Sequence, residues 1–205
     1  MNQPQIRDIF KKPKGFVGLV LKDPISGKII KDPKAIRSVM GDQKSKIVES
    51  TDYHPDENSI LVSPEGEISL AGNLVVADAR ANMSRLIAGD TNAAGERYIT
   101  KMSWGGAGHD SGDPTTAIPP NASDSALASE ITSVGTAGKK GVTYDFPDAT
   151  TVRFVAELSE SDAVGEGLSE AGLWTDDGTL FARKTFGLIS KSSAFAFEFR
   201  WRILF

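Results

Sequence analysis

The stretch Phe195-Ala-Phe-Glu-Phe-Arg-Trp-Arg-Ile-Leu-Phe205 decides how this chain is read. Phe195, Phe197, Phe199, Trp201, Ile203 and Phe205 alternate with Ala196, Glu198, Arg200, Arg202 and Leu204. A strand sends successive side chains to opposite faces, so the aromatic row is predicted to enter a core. The charged row faces water or a neighbouring subunit, which makes Arg200 and Arg202 candidate interface residues. Burying one large apolar side chain gains roughly 1.5–3 kcal/mol, so this end of the chain is expected to be firmly held.

Working outward from that strand, similar patterns follow at short intervals. Leu168 to Trp174 and Thr179 to Phe186 flank the turn Thr175-Asp-Asp-Gly178; Val152, Phe154, Ala156 and Leu158 alternate, as do Val142, Tyr144 and Phe146. Together they predict an antiparallel meander. Arg97 to Trp104 reads as a strand with Tyr98, Met102 and Trp104 on one face. A helix is predicted at about 74–88, capped by Asn73, with Val76, Ala79, Met83, Leu86 and Ile87 at three-and-four spacing and Gly89 at its end. Ser123 to Ile131 reads as a second short helix.

Nearer the N-terminus, Ser59 to Val62 and Glu67 to Leu70 flank Pro64-Glu-Gly66, and Phe16 to Leu21 and Lys28 to Lys31 flank Asp23-Pro-Ile-Ser-Gly27, a hairpin signal. Pro33 to Met40 suits a short helix and Lys44 to Tyr53 a strand. The fold class expected is mainly β: an antiparallel β-sandwich, or barrel-like domain, with one or two short helices and an N-terminal β-hairpin arm. Residues 1–71 are read as a basic arm and hairpin region for attachment, and residues 72–205 as the sandwich domain.

The composition, with 40% hydrophobic and 24% charged residues among 205, is that of an ordinary globular chain. Cysteine is absent, which excludes disulfide staples, thiolate catalysis and thiolate metal sites. No apolar run of about eighteen residues occurs and Met1 to Lys14 lacks a secretory apolar stretch, so no membrane partner is expected. Charge is uneven. Residues 1–49 carry 11 Lys and Arg against 5 Asp and Glu, and the remainder is acidic. Lys11, Lys12 and Lys14 are therefore candidate interface residues for an acidic protein neighbour. Nucleic acid is the other partner such a head would suit, but no stacking aromatics are interleaved with these lysines.

Site chemistry is sparse. His54 and His109 stand near carboxylates without a second histidine at ligand spacing, so no metal and no cofactor are expected. Asp110-Ser-Gly112 resembles the aspartic protease signature but lacks a hydrophobic strand leading into it. Gly105-Gly-Ala-Gly108 and Gly135-Thr-Ala-Gly-Lys-Lys-Gly141 lack the Walker ending and read as turns, as does Asp176-Asp177-Gly178. Glu170 shares a strand face with Leu168 and Trp174, so burial would require a partner such as Arg183 or Arg200. The aperiodic stretch from Gly105 to Asp124 is the candidate ligand loop, with Trp104, His109, Asp110 and Asp113.

The segment Leu168-Ser-Glu-Ala-Gly-Leu-Trp-Thr-Asp-Asp-Gly-Thr-Leu-Phe-Ala-Arg183, followed by Phe186, Ile189-Ser-Lys191 and the closing aromatic strand, resembles a pattern of tailed-bacteriophage structural proteins, including tail-collar fibre proteins. Arg85-Leu-Ile-Ala-Gly89, Trp104-Gly-Gly106 and Asp124-Ser-Ala-Leu-Ala-Ser-Glu-Ile131 fit the same region, so the likeness spans roughly residues 72–205. It implies a virion component of the neck, collar, tail, baseplate or fibre, assembled in the host cytoplasm. Such a component works by self-association and by attachment to other virion proteins, not as an enzyme. The alternatives are a carbohydrate- or receptor-binding β-sandwich using Trp104 as a platform, and a hydrolase using Asp110 or Glu170.

Overall fold

The computed structural model describes residues 14–41, 46–49, 59–87 and 98–205. In chain order the elements are β1 (Lys14–Lys22), α1 (Pro33–Met40), β2 (Lys46–Glu49), β3 (Ser59–Val62), β4 (Glu67–Val75), α2 (Ala77–Ile87), β5 (Ile99–Gly105), β6 (Lys139–Gly141), β7 (Thr143–Asp148), β8 (Thr151–Leu158), β9 (Gly167–Thr175), β10 (Leu180–Ser190) and β11 (Ala196–Leu204). Strands dominate, and the layout is that of a β-sandwich. The hydrogen-bonded order is β6-β5-β9-β10-β4-β1-β11-β8-β7, with β3 and β2 added beside β4. The path runs from β6 to β7 without closing into a barrel.

One strand joins the two layers. β4 pairs with β1 from Glu67 to Asn73, then with β10 through Leu74 and Val75, so it leaves one sheet and enters the other within a few residues. The sheets meet through aromatics contributed from both sides: the Phe199 ring of β11 lies 5.4 Å from that of Trp104 on β5 and 6.5 Å from that of Phe186 on β10. These spacings are those of favourable aromatic pairs, and the row Phe197, Phe199, Trp201 and Ile203 is fully buried, as its alternation requires. Phe205 departs from the row and is 66% exposed, because the last strand ends at Leu204.

β1 lies in the middle of its sheet, between β4 and β11. The turn at Asp23 to Gly27 forms where expected, and its return leg closes through the single bridge of Lys22 with Ile29. The chain then enters α1, whose first turn is capped by Asp32, with Pro33 at the start and Ile36, Val39 and Met40 buried. The division expected between residues 71 and 72 falls inside β4.

Three expectations are corrected. The meander is instead two hairpins in different sheets: β7 pairs with β8, which continues to β11, while β9 pairs with β10 and β5. The helix near 74–88 begins at Ala77, because Leu74 and Val75 are used by the β4–β10 pairing. Ser123 to Ile131 is not helical. There the amides of Ala128 and Ser129 donate to the Glu170 carboxylate, and that of Ile131 donates to the Trp104 carbonyl, so the donors a helix would use are taken by the sheet. Of the Lys44 to Tyr53 strand, β2 covers Lys46 to Glu49; residues 42–45 and 50–58 lie outside the described residues.

Candidate functional site

Two carboxylates predicted or found inside the sheets hold the fold together. Glu170, fully buried on β9, accepts from Arg183 Nε at 3.0 Å and Nη2 at 2.6 Å, and from the Ala128 and Ser129 amides at 3.0 and 2.8 Å. Arg183 Nη1 also reaches Asp124 at 2.7 Å. Arg183 is thus the partner required by Glu170, and the group pins the loop of residues 105–134 against the outer face of β5 and β9. The loop approaches so closely that a Cβ on Gly105 would stand 2.4 Å from the Ser129 carbonyl oxygen. That contact explains the first glycine of Gly105-Gly-Ala-Gly108 without a phosphate.

Glu67 is the second. From β4 its carboxylate reaches across β1 to Arg202 of β11, bound through both terminal nitrogens, with Arg200 at 3.4 Å. Neighbouring pairs continue this charged face: Lys22 bridges Glu157 at 2.9 Å and Glu198 at 2.5 Å, and Arg153 Nε binds Asp145 at 2.9 Å. Arg200 and Arg202, expected at a subunit contact, are committed to partners within the chain. Lys11 and Lys12 lie outside the described residues; Lys14 begins β1.

The candidate ligand loop is similarly committed. Asp110 Oδ1 accepts from the amides of Gly112 and Asp113, while Asp113 accepts from the Thr115 amide and hydroxyl and the Thr116 hydroxyl. These are side-chain turns that brace the loop. The same hydrogen bonds from Thr115 and Thr116 hold the Asp113 carboxyl below the usual carboxylate range. His109 is half-buried at the bridge with Ala117. Trp104 is fully buried between the sheets, which corrects its expected role as an exposed sugar platform. Asp177 Oδ1 receives the Thr175 hydroxyl and the Thr179 amide, as a hairpin turn requires. The turn from Gly135 to Gly141 is anchored, with Lys139 Nζ 2.8 Å from Glu130 and 4.2 Å above the Trp174 ring, and Lys140 paired with Asp162. His54 lies outside the described residues. Among the described residues no cluster of three His, Asp or Glu is arranged to hold a metal ion.

The surface feature that pattern reading missed lies at the open end of the sandwich. β7 is the terminal strand of the path, and every one of its residues is exposed. Tyr144 stands opposite Phe154 in register, so Tyr144 and Phe146 point toward the space between the sheets, beyond the last residues that fill it. They are 64% and 70% exposed. Across the opening, Tyr98 is 53% exposed; a register shift between Ile99 and Lys101 takes it out of the face shared by Met102 and Trp104. Tyr98, Ile99, Tyr144, Phe146, Val152 and Phe154 line a groove of about 420 Å³. Tyr144 meets Phe146 edge to face at 5.8 Å, which fixes one wall. This volume lies within the ~300–1,000 Å³ of typical ligand clefts, and the lining is apolar apart from two tyrosine hydroxyls.

No family model matches the chain, and comparisons with curated proteins and with solved structures likewise give no match. No helix among the described residues is long and apolar enough to cross a membrane.

Proposed function

We propose that the protein is an assembly and attachment protein, a braced β-sandwich that docks apolar side chains of a protein neighbour in the groove beside β7. The observation that carries this reading is the clustering of Tyr98, Tyr144 and Phe146, all largely exposed, around one apolar opening. Contiguous exposed apolar surface is costly to leave in water and marks interaction sites. Aromatic residues are the type that dominate binding at such interfaces. Elsewhere the charged face and the long loop spend their polar groups within the chain. The setting we propose is the particle of a tailed bacteriophage, at the neck or collar, tail, baseplate or fibre, on the strength of the resemblance carried by Leu168 to Arg183 and the terminal strand.

Sedimentation velocity tests the reading, with the purified chain examined alone and mixed with phage neck and tail proteins. Association is expected for the native chain and is expected to be lost in the double variant Tyr144→Ser, Phe146→Ser. A native chain that stays monomeric and binds none of those proteins, or a variant that associates as well as the native chain, would sink it.

A further inference from the structure

Resting on that reading, we infer that the partner seated on the β7 groove is the same face of a second copy of this chain, in a two-fold contact that closes as a dimer. Three observations lead there. The first is the absence of charge. Among the described residues, those that line the groove are aromatic or aliphatic, and none carries a charge. The nearby pair of Asp145 with Arg153 lies on the opposite face of β7 and β8 and is neutralised within the chain. In a two-fold contact each group meets its own kind from the other copy, so a charged lining would repel itself and a neutral one does not. A foreign partner imposes no such condition, and complementary charge is what commonly selects one.

The second observation is shape. Tyr144 and Phe146 project into solvent, and the hollow bounded by Tyr98, Ile99, Val152 and Phe154 lies directly beside them. One face thus carries a ridge and a recess of the same apolar character, the arrangement that lets a surface fit a rotated copy of itself. The edge-to-face contact of the Tyr144 and Phe146 rings presents the ridge as a unit. Pairing of the β7 backbones is not what joins the copies. Pro147 has no amide hydrogen, and the β7 register shifts between Asp145 and Asp148, both of which disfavour addition of a strand along this edge. The contact is made by side chains.

The third is area. Phe205 donates its amide to the Thr150 carbonyl beside the β7–β8 turn, and so adds a fourth exposed ring at this end of the sandwich. A fully buried aromatic side chain covers ~150–250 Å². Tyr98, Tyr144, Phe146 and Phe205 are each more than half exposed, so together they leave on the order of 500 Å² for a neighbour to cover. The other residues of β7, all exposed, bring the face toward the ~800 Å² that each partner contributes to a stable interface. One copy of this end is therefore large enough to form half of a dimer.

The test is sedimentation equilibrium of the full chain and of its Phe146→Ser and Tyr98→Ser variants over a wide range of concentration, with thermal melts to show that each variant keeps its fold. The native chain is expected to pass from monomer to dimer and no further, and either substitution to weaken the dimer by about tenfold or more. Fluorescein-labelled Phe146→Ser chain is then mixed with unlabelled native chain. Because both copies contribute the same face, this mixed pair is expected to be weakened as well. Mixed pairing at native strength would mean that the groove holds some other surface of the second copy, and overturns the inference. So does a native chain that builds species larger than a dimer, or a Phe146→Ser chain that dimerises as well as the native one. If the native chain stays monomeric yet binds a phage neck or tail protein through Tyr144 and Phe146, the groove still attaches a partner and only this occupant is wrong. If it neither dimerises nor binds those proteins, the attachment reading falls with it.

Discussion

The Glu67 side chain lies directly over Gly18: a Cβ built on that glycine would stand 1.9 Å from Glu67 Oε1. Gly18 occupies β1 between the two strands that Glu67 connects, opposite Ser69 on one side and Arg200 on the other. The carboxylate can pass over β1 to Arg202 only because no side chain stands in its way. Gly18→Ala is therefore expected to displace Glu67 and to cost roughly 1–3 kcal/mol by overpacking a closed site. Urea denaturation of Gly18→Ala, Glu67→Ala and the double variant checks this. The double variant should be less destabilised than the two single losses summed, because the collision disappears with the carboxylate.

Arg183 neutralises a fully buried carboxylate and simultaneously holds Asp124. Arg183→Met leaves Glu170 charged without its cation, a change of the kind that costs about 3–5 kcal/mol. The expected signs are a lower denaturation midpoint and faster proteolytic cutting between residues 105 and 134, where Glu170 binds the loop backbone. Glu170→Gln keeps a carbonyl acceptor for one loop amide and should loosen the loop less than Glu170→Ala does.

Lys184 is buried on β10 in register with Ala171, which in turn faces Trp104, so it belongs to the inner face. Burial pushes its ammonium down from 10.5 to about 8. Because the folded pKa is depressed, the unfolded chain binds more protons between those two values, and stability contributed at this site rises as pH increases from about 8 to 10.5. Below pH 8 both states are protonated and the burial penalty is fully present, about 3 kcal/mol from the size of the shift. Lys184→Met is expected to be more stable than the native chain at pH 7, with the advantage shrinking toward pH 10.5. Paired thermal melts across that range measure the difference directly.

The sequence carried the parts of this structure that repeat. Alternation at Phe197, Phe199, Trp201 and Ile203 specifies both a strand and its buried face, because period two leaves only one arrangement for large aromatics beside charges. Glu170 was legible for the same reason, since a carboxylate in an apolar row needs a cation. Sheet membership was not legible: β8 and β9 follow one another in the chain, but the Ser159 to Glu166 link passes between layers, and local pattern does not distinguish a crossing from a hairpin. The groove escaped notice because Tyr144 and Phe146 carry the alternation of a core strand. Their exposure follows from β7 being the last strand of its sheet, a property of the assembled topology. Gly18 gave no local sign at all, since its need for glycine comes from a side chain 49 residues further along.

The position of β1 has a consequence for the order of folding. Its partner β11 lies at the opposite end of the sequence, with Lys14 joined to Leu204 and Lys22 to Ala196. A nascent chain must present residues through Leu204 before the middle of this sheet can be completed. The hairpin of β9 and β10 can form from local contacts, and β1 can pair early with β4, but the other edge of β1 has no strand partner until β11 is made. Such distant pairing slows folding and leaves strand edges open to other chains in the interval. Growth at low temperature, or a slower supply of new chains, should therefore raise the yield of soluble protein.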